Sequence, residues 1–301
     1  MAVSDSALAE TGRAREFSVR ARRHKKVSAV LLYAVTIFLG LIFMFPFFWA
    51  VSSSLKKPEE IITYPPTWLP KTPQWRNYAR VMEKVPFLLW VRNSVVVVVL
   101  STSGALLSSS VVAYSFARFQ YRGRDLIFLL TLGTMMLPAQ ITLIPQFVLF
   151  HKMQWINTIK PLWVPAWFGG GAFDIFLLRQ FILSLPQDLD EAAVIDGANY
   201  AHIFVRIILP LCAPALATVA VLTFIGGWND FLGPLIYLNT RDKFTLAVGL
   251  SYFQNLPEQP GIPMQHLLMA ASVLAITPIL IIFFTSQRYF VQGIVLSGIK
   301  G

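Results

Sequence analysis

Charged residues and cysteine are both scarce in this 301-residue chain. Asp, Glu, Lys and Arg together make up 13% of it, where a soluble domain carries about 25%. That deficit excludes a globule covered by water. The single cysteine, Cys212, excludes an internal disulfide and a cysteine cluster for metal; a small buried hydrophobe is its plainer role. The histidines, His24, His151, His202 and His266, are scattered without ligand spacing, so no metal site is expected. No G-x-x-x-x-G-K-S/T run is present to cradle ATP phosphates, and the glycines at 169–171 lie inside an apolar block rather than between a strand and a helix. No cluster of catalytic groups interrupts the apolar blocks. The expectation is a non-enzymatic chain with no cofactor.

What the chain has in abundance is apolar residues, 55% of the total, gathered in long runs. Residues 27–51 carry no charge and are long enough, at about 1.5 Å per residue, to cross a hydrocarbon core of roughly 30 Å. This block ends in bulky Phe47, Phe48 and Trp49 rather than a small-residue cleavage site, which reads as a retained helix. Further blocks follow at 94–117, 126–150, 161–181, 211–236 and 267–287. The sequence therefore predicts an all-α integral membrane protein with six transmembrane helices. The second block contains a run of small residues, Ser101 to Ser110, suited to close helix packing in lipid. Proline or glycine interrupts the others at Pro138, Pro145, Pro165, Gly169–Gly171, Pro214, Gly226–Gly227 and Pro278. Such breaks are tolerated in a membrane where neighbouring helices or a water-filled cavity satisfy the freed backbone groups.

The formal net charge of +10 could suggest nucleic-acid binding, but its distribution argues against that. Seven of the 25 lysines and arginines lie in the first 26 residues, ahead of the first apolar block. With that tail inside, 14 of the 25 fall on the inner side and 11 on the outer, a slight bias. The dense tail and the short inner loop with Arg118, Arg122 and Arg124 decide for N-in, C-in. The predicted organisation is a cytoplasmic tail over 1–26, a transmembrane domain over 27–290 with an inner loop at 182–210, and a cytoplasmic tail over 291–301.

That inner loop is unlike the rest. Ser184 and Gln187 have capping-box spacing, Pro186 suits a first turn, and Asp188, Asp190 and Glu191 place negative charge at the start of a helix. Gly197 can end that helix and turn the chain. A second helix then carries the stripe Tyr200, Ile203, Phe204, Ile207 and Ile208. The residues alone leave two readings about even, an element that fits a groove on another protein or a helix lying on the membrane surface.

Glu191-Ala192-Ala193, then Gly197, then Ile207, Leu209 and Pro210 after a nine-residue gap resemble the EAA motif of ABC-importer permeases. Asp196-Gly197-Ala198, Phe204 and Pro214 also match. The resemblance implies that this loop forms coupling helices seated in a cleft of an ATPase subunit, with Glu191 meeting a basic residue there and Gly197 folding the two helices together. Trp228-Asn229-Asp230 is similar to the carbohydrate-importer permeases, as is the outer run from Lys56 through Pro65-Pro66, Trp68, Asn77-Tyr78 and Asn93-Ser94. The end of the chain, Gly293 and then Ser297 to Gly301, resembles the second permease subunit of maltose-type importers, which implies that Gly298, Lys300 and Gly301 contact the ATPase pair. Asp174 departs from the pattern, which has a small or neutral residue there.

The implied partners are a second permease subunit, two ATPase subunits, an extracytoplasmic solute-binding protein docking on 52–93 and 237–266, and the lipid bilayer of a bacterial or archaeal cytoplasmic membrane. The implied activity is import of a sugar by alternating access. A sugar-phosphate importer and a proton- or sodium-coupled carrier using Asp174 are the alternatives. Candidates for the solute path are Gln140 just after Pro138, Asp174 and Asp230 as acids at or near membrane depth, Asn229, and Trp228 as a surface for a sugar ring. For Trp228 an interfacial role is equally open, and for Trp167 it is preferred.

Overall fold

Proline, glycine and buried serine decide where the helices of this chain run straight and where they break. The computed structural model describes the backbone of residues 3–259 and 262–298, and the side chains of residues 28–138, 140–256 and 264–287. Helix α1 (Val3–Ser54) is followed by the short α2 (Pro58–Ile61), α3 (Arg76–Lys84) and the long α4 (Phe87–Arg118). Next come α5 (Arg124–Gly133), α6 (Ala139–Lys152), α7 (Lys160–Trp163) and α8 (Ala172–Ser184). The loop helices are α9 (Asp188–Ile195), α10 (Tyr200–Ile203) and α11 (Leu209–Leu211), with a π-helical segment at Phe204–Ile208. Then follow α12 (Ala213–Asn229), α13 (Leu232–Tyr237) and α14 (Leu246–Gln254). A two-stranded antiparallel ribbon, β1 (Pro257–Gln259) and β2 (Ile262–Pro263), leads into α15 (Gln265–Gly298).

Four stretches are long and apolar enough to cross a membrane: Ser28–Ser54, Phe87–Arg118, Lys160–Ser184 and Gln265–Gln287. Two bent pairs raise the number to six if each pair is one span. In the third apolar block, the limbs Arg124–Met136 and Gln140–Lys152 meet at 100°. The cause is Pro138, which lacks an N–H and forces Leu137 out of helical geometry to φ −82°, ψ 120°. Pro145, by contrast, stays inside α6. Where the inner loop enters the fifth block, Tyr200–Leu211 and Ala213–Asn229 meet at 75° around Cys212. Gly226–Gly227 does not break α12; the break falls later, at Asp230 and Phe231. The last helix continues without a break from Gln265 to Gly298.

The small-residue run of α4 is where the fourth block is packed. Gly169 and Gly170 take positive φ, 99° and 63°, between α7 and α8. The backbone freed by this break is partly satisfied from α4. Ser108 Oγ donates to the Ala166 carbonyl at 2.9 Å, and Trp167 Nε1 donates to the Leu100 carbonyl at 3.0 Å. A Cβ on Gly104 would overlap the Trp167 indole, and one on Gly170 would sit 3.1 Å from the Ala105 carbonyl. The serine hydroxyls are themselves satisfied by carbonyls of the same helix, Ser110 by Leu107 at 3.0 Å and Ser109 by Ala105. Trp167 thus serves as a packing wedge.

The buried side chains form two clusters joined by α4 and α12. One holds Val81, Trp90, Trp228, Leu246, Phe253 and Leu267; this end is called the far end. The other holds Tyr114, Leu178, Ile182, Ile203, Ile208 and Val219, at the end that carries the 185–210 loop.

At the far end, residues of the sugar-permease resemblance prove to be ties. Asn77 Nδ2 donates to the carbonyls of Ser54 (2.8 Å) and Lys56 (3.0 Å), and the Tyr78 and Ser54 hydroxyls meet at 2.8 Å. Lys56 is buried, with Nζ 4.2 Å from the Trp49 ring centroid and donating to the Thr67 carbonyl. Burial pushes its pKa down, and Glu60 pulls it back up. Asn93 Nδ2 donates to the carbonyls of Asp242 (2.9 Å) and Phe244 (3.0 Å), and Ser94 Oγ accepts from Leu246 N at 2.7 Å.

Candidate functional site

The 185–210 loop folds as two short helices closed by a glycine turn. Helix α9 begins at Asp188, and Gln187 occupies the N-cap without a side-chain bond. The capping box expected from Ser184 and Gln187 does not form, because the Ser184 hydroxyl donates to the Phe181 carbonyl at 2.6 Å and finishes α8 instead. Asp188, Asp190 and Glu191 do lie in the first turn, where the helix dipole favours them. The helix ends as expected at Gly197, with φ 83°. Ala198 N donates to Ala193 O (2.9 Å) and Gly197 N to Val194 O (3.0 Å), the double bond pattern of a Schellman turn. A Cβ on Gly197 would meet nothing within 4 Å, so within this chain the need for glycine there is conformational rather than steric.

The second helix opens with a cap that the sequence reading did not identify. Asn199 Oδ1 accepts from His202 N at 2.8 Å. The signal was available, since an asparagine stands directly before the apolar stripe. Apart from Tyr200, the stripe points inward: Ile203 and Ile208 are fully buried, and Phe204 packs at a tilt against Tyr114 with centroids 5.0 Å apart. Most of the stripe is thus spent on internal packing against α4 and α8, and Tyr200 alone of its members stays exposed. The surface offered outward is a different set. Glu191, Ala192, Asp196, Gly197 and Pro210 are exposed, and beside them stand Leu189, Val194, Ile195, Tyr200 and Val205, with Ile195 85% exposed. Ala193 is buried beneath them.

One ion pair links this loop to α4. Arg118 Nε lies 2.6 Å from Asp190 Oδ2, with side-chain exposures of 6% and 16%. It is an ion-pair contact rather than an aligned hydrogen bond. Arg118 Nη2 also donates to the Leu185 carbonyl at 3.2 Å. Burial pushes the Asp190 carboxyl above its usual range, and the Arg118 guanidinium pulls it partly back. Sequence reasoning used Arg118 for orientation and Asp190 for the helix dipole. Their pairing, across 72 positions, gave no sequence signal.

The residues proposed for a solute path stand apart. Trp228 is buried, its Nε1 donates to the Ala275 carbonyl at 3.1 Å, and its ring stacks on Phe224 at 5.7 Å. In this structure it packs α12 against α15 and offers no face to a sugar. Asn229 Nδ2 donates to the Ile225 carbonyl at 2.9 Å, and Asp230 Oδ1 accepts from Gly233 N at 3.2 Å, starting α13. Asp174 is half-buried in the first turn of α8, its carboxylate turned back towards Gly171. Gln140 is exposed at the start of the second limb after Pro138. Among the described residues, no hydrogen bond or ion pair joins these groups. Gly298 ends α15, while Lys300 and Gly301 lie outside the described residues.

Residues 17–296 match the family described as binding-protein-dependent transport system inner membrane component. The chain is 35% identical over 283 residues to the arabinooligosaccharides transport system permease protein AraQ of Halalkalibacterium halodurans, across 92% of this chain and 99% of that one. It is 33% identical over 282 residues to the trehalose/maltose transport system permease protein MalG of Thermococcus litoralis, across 93% and 99%. Its fold is similar to that of a chain in the crystal structure of a bacterial ABC transporter involved in the import of the acidic polysaccharide alginate. The TM-score is 0.79 at 24% identity, across 89% of this chain and 98% of that one.

Proposed function

Because the chain belongs to the inner membrane component family of binding-protein-dependent transport systems, we propose that it is one permease subunit of an ATP-driven importer of a sugar. The oligosaccharide class is supported by relatives whose names specify arabinooligosaccharides and trehalose or maltose. The sugar-phosphate alternative has less support from these names. In this reading the chain pairs with a second permease, receives solute from an extracytoplasmic binding protein, and is driven by separate ATPase subunits. It spans the membrane six times, N-in and C-in, the bent α5–α6 pair counting as the third span and α12 carrying the fifth.

The observation that carries the reading is the outward face of the 185–210 loop. Glu191 stands exposed beside Leu189, Val194, Ile195 and Tyr200, an apolar surface with an acid at its edge, on a helix pair fixed from beneath by Ala193, Ile203 and Ile208. A rigid pad of that kind suits docking into an ATPase cleft and passing on its movement. In energetic terms, ATP must favour one arrangement of the spans by several kcal/mol. The experiment is co-purification. Wild-type complex should retain the ATPase subunit, and Glu191→Ala combined with Ile195→Asp should lose most of it while the permease still reaches the membrane. Full retention by that variant would sink the assignment.

A further inference from the structure

We infer that α4 is the element through which movement of the 185–210 loop reaches the far end of the molecule, and that the Arg118–Asp190 pair is its attachment to the loop. The inference rests on reading that loop as the ATPase-facing surface. Arg118 is the last residue of α4, and through Asp190 and the Leu185 carbonyl it grips both α9 and the link before it. Aromatic contacts join the same end of α4 to the second loop helix. Tyr114 packs on Phe204 at 5.0 Å, and Phe119, directly after α4, packs edge-on to Tyr200 at 5.1 Å. Both halves of the loop are therefore held by one helix end.

The helix carries no break between its two ends, although it contains Gly104 and a run of serines. At the far end it is bonded with similar density to the 241–246 segment. Trp90 Nε1 donates to the Arg241 carbonyl at 2.9 Å, Asn93 holds the carbonyls of Asp242 and Phe244, and Ser94 accepts from Leu246 N. By contrast, α5–α6 is bent by 100° and the α11–α12 junction by 75°, so neither offers a straight path from the loop. A charged pair this buried is retained at a cost in desolvation, and an apolar pair of similar volume would hold two surfaces together as well. What the ion pair adds is a directional joint that fixes which part of α9 moves with which turn of α4. Arg118 and Asp190 are positioning residues in this account; neither meets solute or nucleotide.

The test uses the assembled importer in lipid nanodiscs, with Cys212→Ala and with Asp242→Cys carrying an environment-sensitive fluorophore at the far end. Adding ATP and vanadate to the wild-type background should change the fluorescence. In Arg118→Gln and in Asp190→Asn, which keep side-chain volume, the change should fall roughly tenfold while the ATPase subunit co-purifies in full. Arg118→Lys, which keeps the charge, should recover part of it, and Arg122→Gln, in the neighbouring loop, should leave it intact. An undiminished change in both neutral variants would overturn the inference. So would loss of the ATPase subunit from them, since the pair would then serve seating and not transmission. Absence of the ATPase subunit from the wild-type complex would instead sink the reading on which this rests.

Discussion

The Trp167 indole lies against Gly104 with space for a hydrogen atom and for nothing larger. This contact brings the broken fourth block onto α4 and lets Trp167 Nε1 reach the Leu100 carbonyl. Gly104→Ala is therefore expected to lower the melting temperature of the purified permease, at a cost of about 1–3 kcal/mol from overpacking. Trp167→Phe, which loses the five-membered ring together with its N–H, should cost at least about 1 kcal/mol for the lost hydrogen bond. A Gly104→Ala melting curve that overlays wild type would contradict the contact.

Gly197 calls for a comparison of three replacements. With φ at 83° and open space beyond the Cα, the penalty for alanine is the left-handed backbone, about 1–2 kcal/mol. Asparagine tolerates that conformation better. Solute uptake should rank Gly197→Asn above Gly197→Ala, with Gly197→Leu lowest because its side chain enters the docking face. If alanine transported better than asparagine, backbone strain would not be the reason for glycine here.

The Arg118–Asp190 pair gives a prediction of opposite signs for stability and coupling. Because the folded Asp190 carboxyl holds its proton to higher pH than an unfolded one, ionisation of this group costs stability at neutral pH. That cost is relieved as pH falls through the folded value. Removing one partner strands the other, at about 3–5 kcal/mol, whereas the apolar double variant Arg118→Met with Asp190→Leu should melt at or above wild type. The same double variant should import poorly. Thermal melts beside uptake assays check both halves, and a double variant that melts well below each single one would count against the balance described.

Asn157 ties two loops of the far end together. Its side chain donates to Thr240 Oγ1 (2.8 Å) and accepts from the backbone N–H groups of Asn239 (3.2 Å) and Thr240 (3.1 Å), and its own N–H donates to the Tyr237 carbonyl (2.7 Å). It does this at φ 59°, a conformation asparagine adopts more readily than most residues. Asn157→Gly should keep the backbone and lose the side-chain ties, raising amide hydrogen exchange across 237–245 by about tenfold, the equivalent of roughly 1.4 kcal/mol. Unchanged exchange would mean that the loops are held elsewhere.

The proposed orientation is tested by thiol labelling. In a Cys212→Ala background, a cysteine at the exposed Arg206 position should resist a membrane-impermeant reagent in intact cells, and one at Asp242 should react. Native Cys212, 2% exposed at the bend before α12, should stay unlabelled until the protein is denatured. Labelling at position 206 from outside would invert the topology.

The features legible in the sequence were those with a local cause. Pro138 announces a break because the missing N–H belongs to that residue alone, and Gly197 announces a turn because so few other residues accept its φ. The small-residue run of α4 likewise signalled close packing. The direction in which the Tyr200–Ile208 stripe faces was not legible, because a helix stripe has the same period whether it meets its own chain or another. Trp228 could not be assigned for the same reason: a tryptophan near the end of a span suits an interface, a sugar or a core, and only the Ala275 carbonyl opposite its N–H decides. The Arg118–Asp190 pair depends on α8 returning the chain to the foot of α4, which is a property of the whole topology.

Gly104 stands near the middle of α4, about 21 Å from Arg118 and about 26 Å from Phe87 at the usual rise per residue. Trp167 is pressed against it, so this contact falls close to the centre of the helix, with arms of similar length on either side. A rod pivoted there swings its ends in opposite directions by nearly equal amounts. If the Gly104–Trp167 contact holds its place, a sideways step of the loop end would therefore return at the far end as a step of comparable size in the opposite direction.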